Sequence, residues 1–93
     1  MEQIDRVLIQ RMREMGFEER NRGTAMIRYA AKQYRPGMFL TKELYPMIAV
    51  EFGSTPGRVE RNMRHACTVA AENGGPMLQV GEMVARLKVD CDL

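Results

Sequence analysis

Apolar residues recur at spacings of three and four in four segments of the chain, and no segment alternates apolar and polar residues over the length of a strand. A fifth, weaker segment follows near the end of the chain. The predicted helices cover about residues 2–15, 24–34, 42–52, 56–72 and 80–89. The pattern predicts a small all-α fold of about five helices, and we interpret residues 1–93 as a single domain.

Residues that start and stop helices agree with these boundaries. Gly16 is a natural end for the first helix, and Thr24, which follows a glycine, is a candidate N-cap of the second. Thr41 is a candidate N-cap of the third helix. Because proline has no N–H to donate, Pro46 predicts an irregular first turn in that helix.

The third and fourth predicted helices have the sequence pattern of a helix-turn-helix. This motif needs a small residue where the helices cross, a tight turn that favours glycine, and an apolar anchor in the second helix. Ala49, Gly53 and Val59 meet these needs at offsets of four and six residues. Asn62 lies where many such motifs have a second apolar anchor, and Met63 is expected to take that role.

The fourth predicted helix has one narrow apolar seam and one charged face. With about 100° per residue, the seam contains Val59, Met63, Ala66 and Ala70. The other side carries three arginines, one glutamate and the only histidine of the chain. Arginine can bond a guanine edge with two donors, and glutamate can accept from cytosine N4. Hydroxyls and amides at the helix start can bind phosphate. The candidate DNA-binding residues are Ser54, Thr55, Arg58, Glu60, Arg61, Arg64 and His65.

The same charged face has a second interpretation. Charged runs commonly form a solvated helix surface, and Glu60 with Arg64 is a favourable pair at a spacing of four. The turn and the anchor spacing that precede the helix favour DNA binding over this alternative.

The small net charge limits the ways in which the chain could bind DNA. The 93 residues include 14 Lys and Arg against 12 Asp and Glu, a formal net charge of +2. Such a small excess argues against binding by bulk electrostatic attraction. Because three arginines lie within seven residues of one helix, we expect a few placed contacts, supported by pairing of subunits, to carry the binding.

Other classes of protein lack support in the sequence. No apolar run approaches the roughly 20 residues of a membrane helix. The two cysteines, Cys67 and Cys91, provide neither a disulfide scaffold nor a four-ligand zinc site. His65 and Cys67 are two residues apart and cannot form a nucleophile–base pair on one helix. We expect no catalysis, no metal and no cofactor, and a cytosolic, reduced setting. We also expect Cys67 to be buried and Cys91 to be a surface thiol. Methionines such as Met12, Met15, Met63 and Met83 are expected in the core.

The segment LYPMIAVEFGSTPGRVERNMRHACTVAAENG resembles the C-terminal DNA-binding effector domain of the sporulation master response regulator of endospore-forming Firmicutes. The matching positions are Leu44-Tyr45-Pro46, Ile48-Ala49, Phe52, Thr55, Arg58-Val59-Glu60-Arg61, Arg64-His65-Ala66 and Ala70. Weaker matches are Gly16, Arg22-Gly23, Arg28 and Ala30 upstream, and Met83-Val84-Ala85 with Leu87 near the end. The similarity covers most of the chain, and RVERxxRHA is far more specific than a general helix-turn-helix pattern.

The resemblance implies an all-helical, winged-helix-like effector domain that binds short boxes in double-stranded DNA, often in tandem or as a homodimer. It implies that Arg58, Glu60 and Arg61 read bases, and that Arg64 and His65 lie at or near the DNA backbone. Three departures from the family pattern stand out. We expect no receiver domain before the helices, the connection between the second and third helices is shorter, and Asn73-Gly74-Gly75-Pro76 replaces a longer segment that carries the RNA polymerase contact in the family. We therefore do not expect RNA polymerase contact or control by phosphorylation in the same chain.

An interaction module is the alternative to a DNA-binding regulator. An effector domain without its activation segment could pair with a full-length regulator and antagonise it without activating transcription. An exposed apolar patch on the first or last helix would favour this hypothesis.

Overall fold

The computed structural model describes residues 2–93, which form five α-helices, one π-helical turn and no strand. The all-α prediction is therefore confirmed. The helices are α1 (Gln3–Glu14), α2 (Arg22–Gln33), α3 (Tyr45–Phe52), α4 (Pro56–Glu72) and α5 (Val80–Asp90), with the π-helical turn at Leu40–Leu44 before α3. Among these helices, none has the length and apolar character needed to cross a membrane.

Helix α2 lies at the centre of the fold. It packs on α3, α4 and α5, while α1 packs mainly on α5. The helices enclose one hydrophobic core, whose largest fully buried side chains are Leu8, Met12, Met15, Met26, Ile27, Leu44, Ile48, Val59, Met63, Met83, Val84 and Leu87. Five of these twelve are methionines, and the four named from the sequence as core residues are all buried. The flexible methionine side chain fills gaps between helices that cross at different angles.

Helix α1 ends where the sequence predicts, at a glycine in the left-handed conformation. Gly16 has φ +95°, and the amide of Phe17 donates to the carbonyl of Met12 at 3.0 Å. This arrangement satisfies carbonyl groups that would otherwise have no partner at the helix end. It also turns the buried ring of Phe17 back into the core.

The start of α2 differs from the prediction. Asn21, not Thr24, is the N-cap, and its side chain accepts a hydrogen bond from the amide of Gly23 at 2.9 Å. Helix α2 therefore begins two residues earlier, at Arg22. Thr24 lies within the first turn and is buried, with 2% of its surface exposed. Asn and Thr both favour N-cap positions, and packing of the first turn of α2 on α4 selects Asn21 over Thr24.

The third helix begins irregularly, as Pro46 predicts. The amide of Leu44 donates five residues back to Phe39 at 3.1 Å, which makes the turn wider than an α-helical turn. The wide turn gives room to a proline ring that would otherwise meet the carbonyl four residues earlier. Thr41 lies inside this turn and makes no capping hydrogen bond, so its predicted N-cap role is wrong.

Helix α5 ends one residue later than predicted, and its start is well defined. Gln79 and Glu82 form a reciprocal capping box across its first turn. Cys91 follows the helix and is buried, with 9% of its surface exposed, so the expected surface thiol is wrong. The amide of Cys91 donates to the carbonyl of Leu87 at 3.0 Å, and this last turn of α5 places Cys91 beside α1.

Candidate nucleic-acid interface

The connection between α3 and α4 is a tight turn fixed by its own backbone. Gly53 has φ 60°, a left-handed conformation that glycine adopts without a steric penalty. The amide of Ser54 donates to the carbonyl of Ala49 at 2.9 Å and closes α3. The hydroxyl of Thr55 accepts from the amide of Arg58 at 3.3 Å, and Pro56 occupies the first position of α4. Helix α4 therefore has the predicted bounds.

The anchors expected from the helix-turn-helix pattern are buried between α3 and α4. Ala49 is 5% exposed, and Val59 and Met63 are fully buried. Phe52 is half-buried and meets the ring of Tyr29 edge to face, with 5.9 Å between the ring centroids. The apolar seam of α4 thus faces α2 and α3, which leaves the opposite side of the helix for other contacts.

Helix α2 contacts both helices of the motif through its first two residues. The guanidinium of Arg22 donates to the carbonyl of Phe52 at 2.8 Å, at the end of α3. Gly23 lies directly against the backbone carbonyl of Asn62, and a Cβ atom at residue 23 would collide with that oxygen. The half-buried Asn62 therefore presents its backbone to α2, which explains why no large apolar side chain is needed there.

These two contacts were not predicted as part of the site. In the sequence, Arg22-Gly23 is only a weak family match. A close approach between distant segments leaves no periodic pattern of apolar residues that could reveal it. A glycine in the first turn of a helix is the one local sign of such an approach.

The face of α4 that points away from the core carries the predicted charged residues. Arg58, Arg61, Arg64 and His65 are exposed, and Glu60 is half-buried. Of the two turn residues, Ser54 is half-buried, and Thr55 is exposed with its hydroxyl already in the helix cap. Five of the seven candidate residues are thus exposed, and the other two, Ser54 and Glu60, are half-buried.

Glu60 and Arg64 form an ion pair on this face. The Nη1 atom of Arg64 donates to Oε1 of Glu60 at 2.6 Å. The side chains are 36% and 63% exposed, so solvent screens the pair and its contribution to folding stability is small. Burial raises the pKa of Tyr45, and the charge of Glu60 raises it further. Glu60, Arg64 and Tyr45 line the same surface groove.

The opposite end of α4 is attached to the turn between α1 and α2. The side-chain amide of Asn73 donates to the carbonyl of Gly16 at 2.9 Å and to Glu18 at 3.2 Å. Gly75 lies against the carbonyl of Met15, where a Cβ atom would collide with the oxygen. This end of the helix is therefore held against residues 15–18 by side-chain hydrogen bonds and by a close backbone approach.

The two cysteine thiols are buried in surroundings that make them unreactive. Burial raises the pKa of Cys67 to about 11, so the thiol stays protonated at neutral pH and is a poor nucleophile. Burial also raises the pKa of Cys91. No group of three or more His, Cys, Asp or Glu side chains within residues 2–93 is arranged to hold a metal ion.

Comparison with known families identifies the domain. Residues 8–88 match the family model described as the C-terminal domain of the sporulation initiation factor Spo0A. The chain belongs to the Spo0A C-terminal family. The Spo0A C-terminal family comprises DNA-binding effector domains of a response regulator that controls transcription in sporulation, and it is not a family of enzymes. The resemblance seen in the sequence is confirmed, and double-stranded DNA is the partner that membership supports.

Proposed function

We propose that this protein is a sequence-specific DNA-binding regulator that inserts α4 into the major groove. The observation that carries the proposal is the exposed face of α4, where three arginines and a histidine project away from a buried seam. An α-helix fits the major groove, in which each base pair presents a distinct pattern of donors and acceptors. Residues 1–93 act as one domain in this proposal, in the bacterial cytoplasm and at the nucleoid when bound.

Each candidate residue has a proposed role. Arg58 and Arg61 read guanine edges and Glu60 reads a cytosine amino group, as their donors and acceptors allow. His65 and the half-buried Ser54 contact phosphate, together with the free amides at the start of α4. Arg64 and Thr55 lie beside these residues, and Thr55 acts mainly through its cap. Tandem or dimeric binding supplements the few contacts that one α4 can make.

A salt-series titration tests sequence-specific binding. The wild-type protein is first used to select boxes from a pool of randomised duplexes, and the best box is compared with a scrambled duplex by fluorescence anisotropy. We expect preference for the box, and affinity that falls as salt rises because phosphate contacts release counterions. Equal binding of the two duplexes would contradict sequence-specific readout.

Arg61→Ala tests base reading by one residue. The change should cost about 1–3 kcal/mol of binding free energy on the selected box, and the preference at one base pair should relax. Arg6→Ala is the matched control, because Arg6 is an exposed arginine on α1, away from the helix-turn-helix. If both variants lose the same small amount of affinity, Arg61 contributes only general charge.

A second candidate function has support from the outer helices. Val7 on α1 and Val89 on α5 are large apolar side chains that are 38% and 78% exposed. An interaction module that pairs with a full-length regulator and antagonises it would bury such side chains in its interface. Sedimentation of the chain with a purified full-length regulator, in the absence of DNA, tests this function. Complex formation that Val89→Ser weakens would support it, and independent sedimentation would exclude it.

A further inference from the structure

The ion pair between Glu60 and Arg64 joins two residues to which the family resemblance gives separate roles, one at a base and one at the DNA backbone. Their geometry suggests a joint role. Arg64 occupies only one carboxylate oxygen of Glu60, Oε1. The described side chains provide no hydrogen bond to the second oxygen, Oε2, which leaves it available to a donor on a bound partner.

Glu60 is partly covered by its surroundings. It lines a groove of about 300 Å³ whose walls include Leu40, Tyr45 and Val80. Its side chain is 36% exposed, and its ion pair with Arg64 favours one position of the carboxylate. A side chain that is restricted before binding loses less conformational freedom when it meets a ligand.

Electrostatics explains why the Glu60 carboxylate needs a cationic partner at a DNA interface. An isolated carboxylate is repelled by phosphate groups, and a carboxylate that loses water at an interface without a partner is strongly disfavoured. The guanidinium of Arg64, 2.6 Å away, offsets both effects. It neutralises Glu60 and leaves Arg58 and Arg61 as the uncompensated arginines of this face.

We propose that Arg64 is a positioning residue that holds the Glu60 carboxylate for hydrogen bonding to a cytosine amino group, and that it acts on sequence preference through Glu60. This inference rests on the proposed function, because it assumes that α4 enters the major groove. It goes further than the proposed function because it assigns Arg64 a part in base selection. A residue that only binds phosphate takes no part in base selection.

The test measures base preference in four proteins: wild type, Glu60→Gln, Arg64→Met and the double variant. The probes are the selected box and the set of its single-base-pair substitutions, measured by anisotropy at one salt concentration. Arg64→Met keeps the length and helix propensity of the side chain but removes its charge and donors. Arg6→Met on α1 is the matched control, and thermal unfolding verifies that each variant is folded, since an exposed pair contributes little to stability.

We expect Glu60→Gln and Arg64→Met to reduce the preference at the same C·G base pair by about tenfold. The double variant should lose no more than either single variant, because both changes remove one interaction. Arg64→Lys should restore part of the preference, since an ammonium can still pair with the carboxylate. In a box where that cytosine is replaced by 2-pyrimidinone, which lacks the amino group, Arg64→Met should lose only the affinity that removal of one positive charge costs on every duplex, with no further loss at this base pair.

Other outcomes overturn the inference. If Arg64→Met lowers affinity for every duplex by the same factor and leaves the base preference intact, Arg64 is a phosphate contact. If losses at the base pair add in the double variant, the two residues act independently. Failure of the proposed function is distinguishable, because in that case the wild-type protein selects no box from the pool.

Discussion

The two halves of α4 use the same helix in different ways. The first half, residues 56–65, buries only Val59 and Met63 and exposes three arginines and a histidine. The second half, residues 66–72, has small residues on its buried side, and the turn that follows it is attached to the connection between α1 and α2. One half thus carries the surface available to DNA, and the other half fixes the helix in the core.

The two halves of α4 also differ in where other backbone segments approach them closely. Along the first half, α2 packs on α4, and Gly23 faces the carbonyl of Asn62. At the far end, Gly16 faces the carbonyl of Ala70, and Gly75, after the helix, faces that of Met15. The approach at Gly16 combines close backbone contact with φ +95°, so we expect a change there to affect folding most.

Gly16→Ala should have the largest effect on stability. The added Cβ would collide with the carbonyl of Ala70, and alanine is strained at φ +95°, so we expect a loss of about 3 kcal/mol or more. Gly74→Ala is the matched control, because Gly74 has φ +96° but nothing within 4 Å of the added Cβ. The control should lose only about 1–2 kcal/mol from strain. Urea unfolding gives both values, and equal losses would mean that the collision with α4 has no energetic consequence.

Gly23→Ala should have an intermediate effect on stability and a specific effect on DNA binding. The new methyl group must displace α2 from Asn62, which typically costs about 1–3 kcal/mol. Gly57→Ala is the control, since Gly57 is likewise the second residue of its helix and has open space around the added Cβ. We expect Gly57→Ala to leave stability unchanged or slightly higher.

The DNA measurement for Gly23→Ala is made at a temperature where the variant remains folded. If α2 sets the position of the first half of α4, affinity for the selected box should fall while the α4 side chains stay unchanged. Unchanged affinity in a destabilised Gly23→Ala protein would show that the close approach serves stability alone.

The smallest expected effect concerns Cys67 on the second half of α4. Its pKa is about 11 in the folded protein and 9.0 for an unperturbed thiol, so the unfolded chain loses this proton first as pH rises. The thiol therefore stabilises the fold fully below pH 9, and this contribution declines as pH rises toward 11, by about 1 kcal/mol at pH 10. Urea unfolding from pH 8 to 11 should show a shallower decline for Cys67→Ala than for wild type. Parallel declines would mean that burial does not perturb this thiol.

Local signals in the sequence were sufficient for the helix-turn-helix but not for its supports. Pro56 at the first position, Thr55 as a cap and the glycines after Asn73 fix the bounds of α4, because each acts within one turn of its own helix. The charged face follows from the same periodicity, and its contact with bases stays a prediction.

Features that depend on contacts between segments far apart in the chain could not be predicted from the sequence. Asn21 and Thr24 offer equivalent caps, and contact with α4 decides between them. Cys91 is buried because it continues the last turn of α5 beside α1, a contact that its polar neighbours in sequence do not reveal. The approach of Gly23 to Asn62 joins positions about forty residues apart, for which periodicity carries no information.

The central position of α2 bears on whether the helix-turn-helix can be moved to another protein. Residues 40–75 contain both helices of the motif, but Met63 and Ala70 line the core in which α2 lies between α4 and α5. Arg22 also holds the end of α3 from outside the motif. A graft of α3 and α4 alone would thus leave apolar surface uncovered and the crossing angle undefined. Adding α2 to the graft keeps these contacts but exposes the surface that α1 and α5 cover, so engineering of new DNA preferences should keep the whole domain and vary only the outer face of α4.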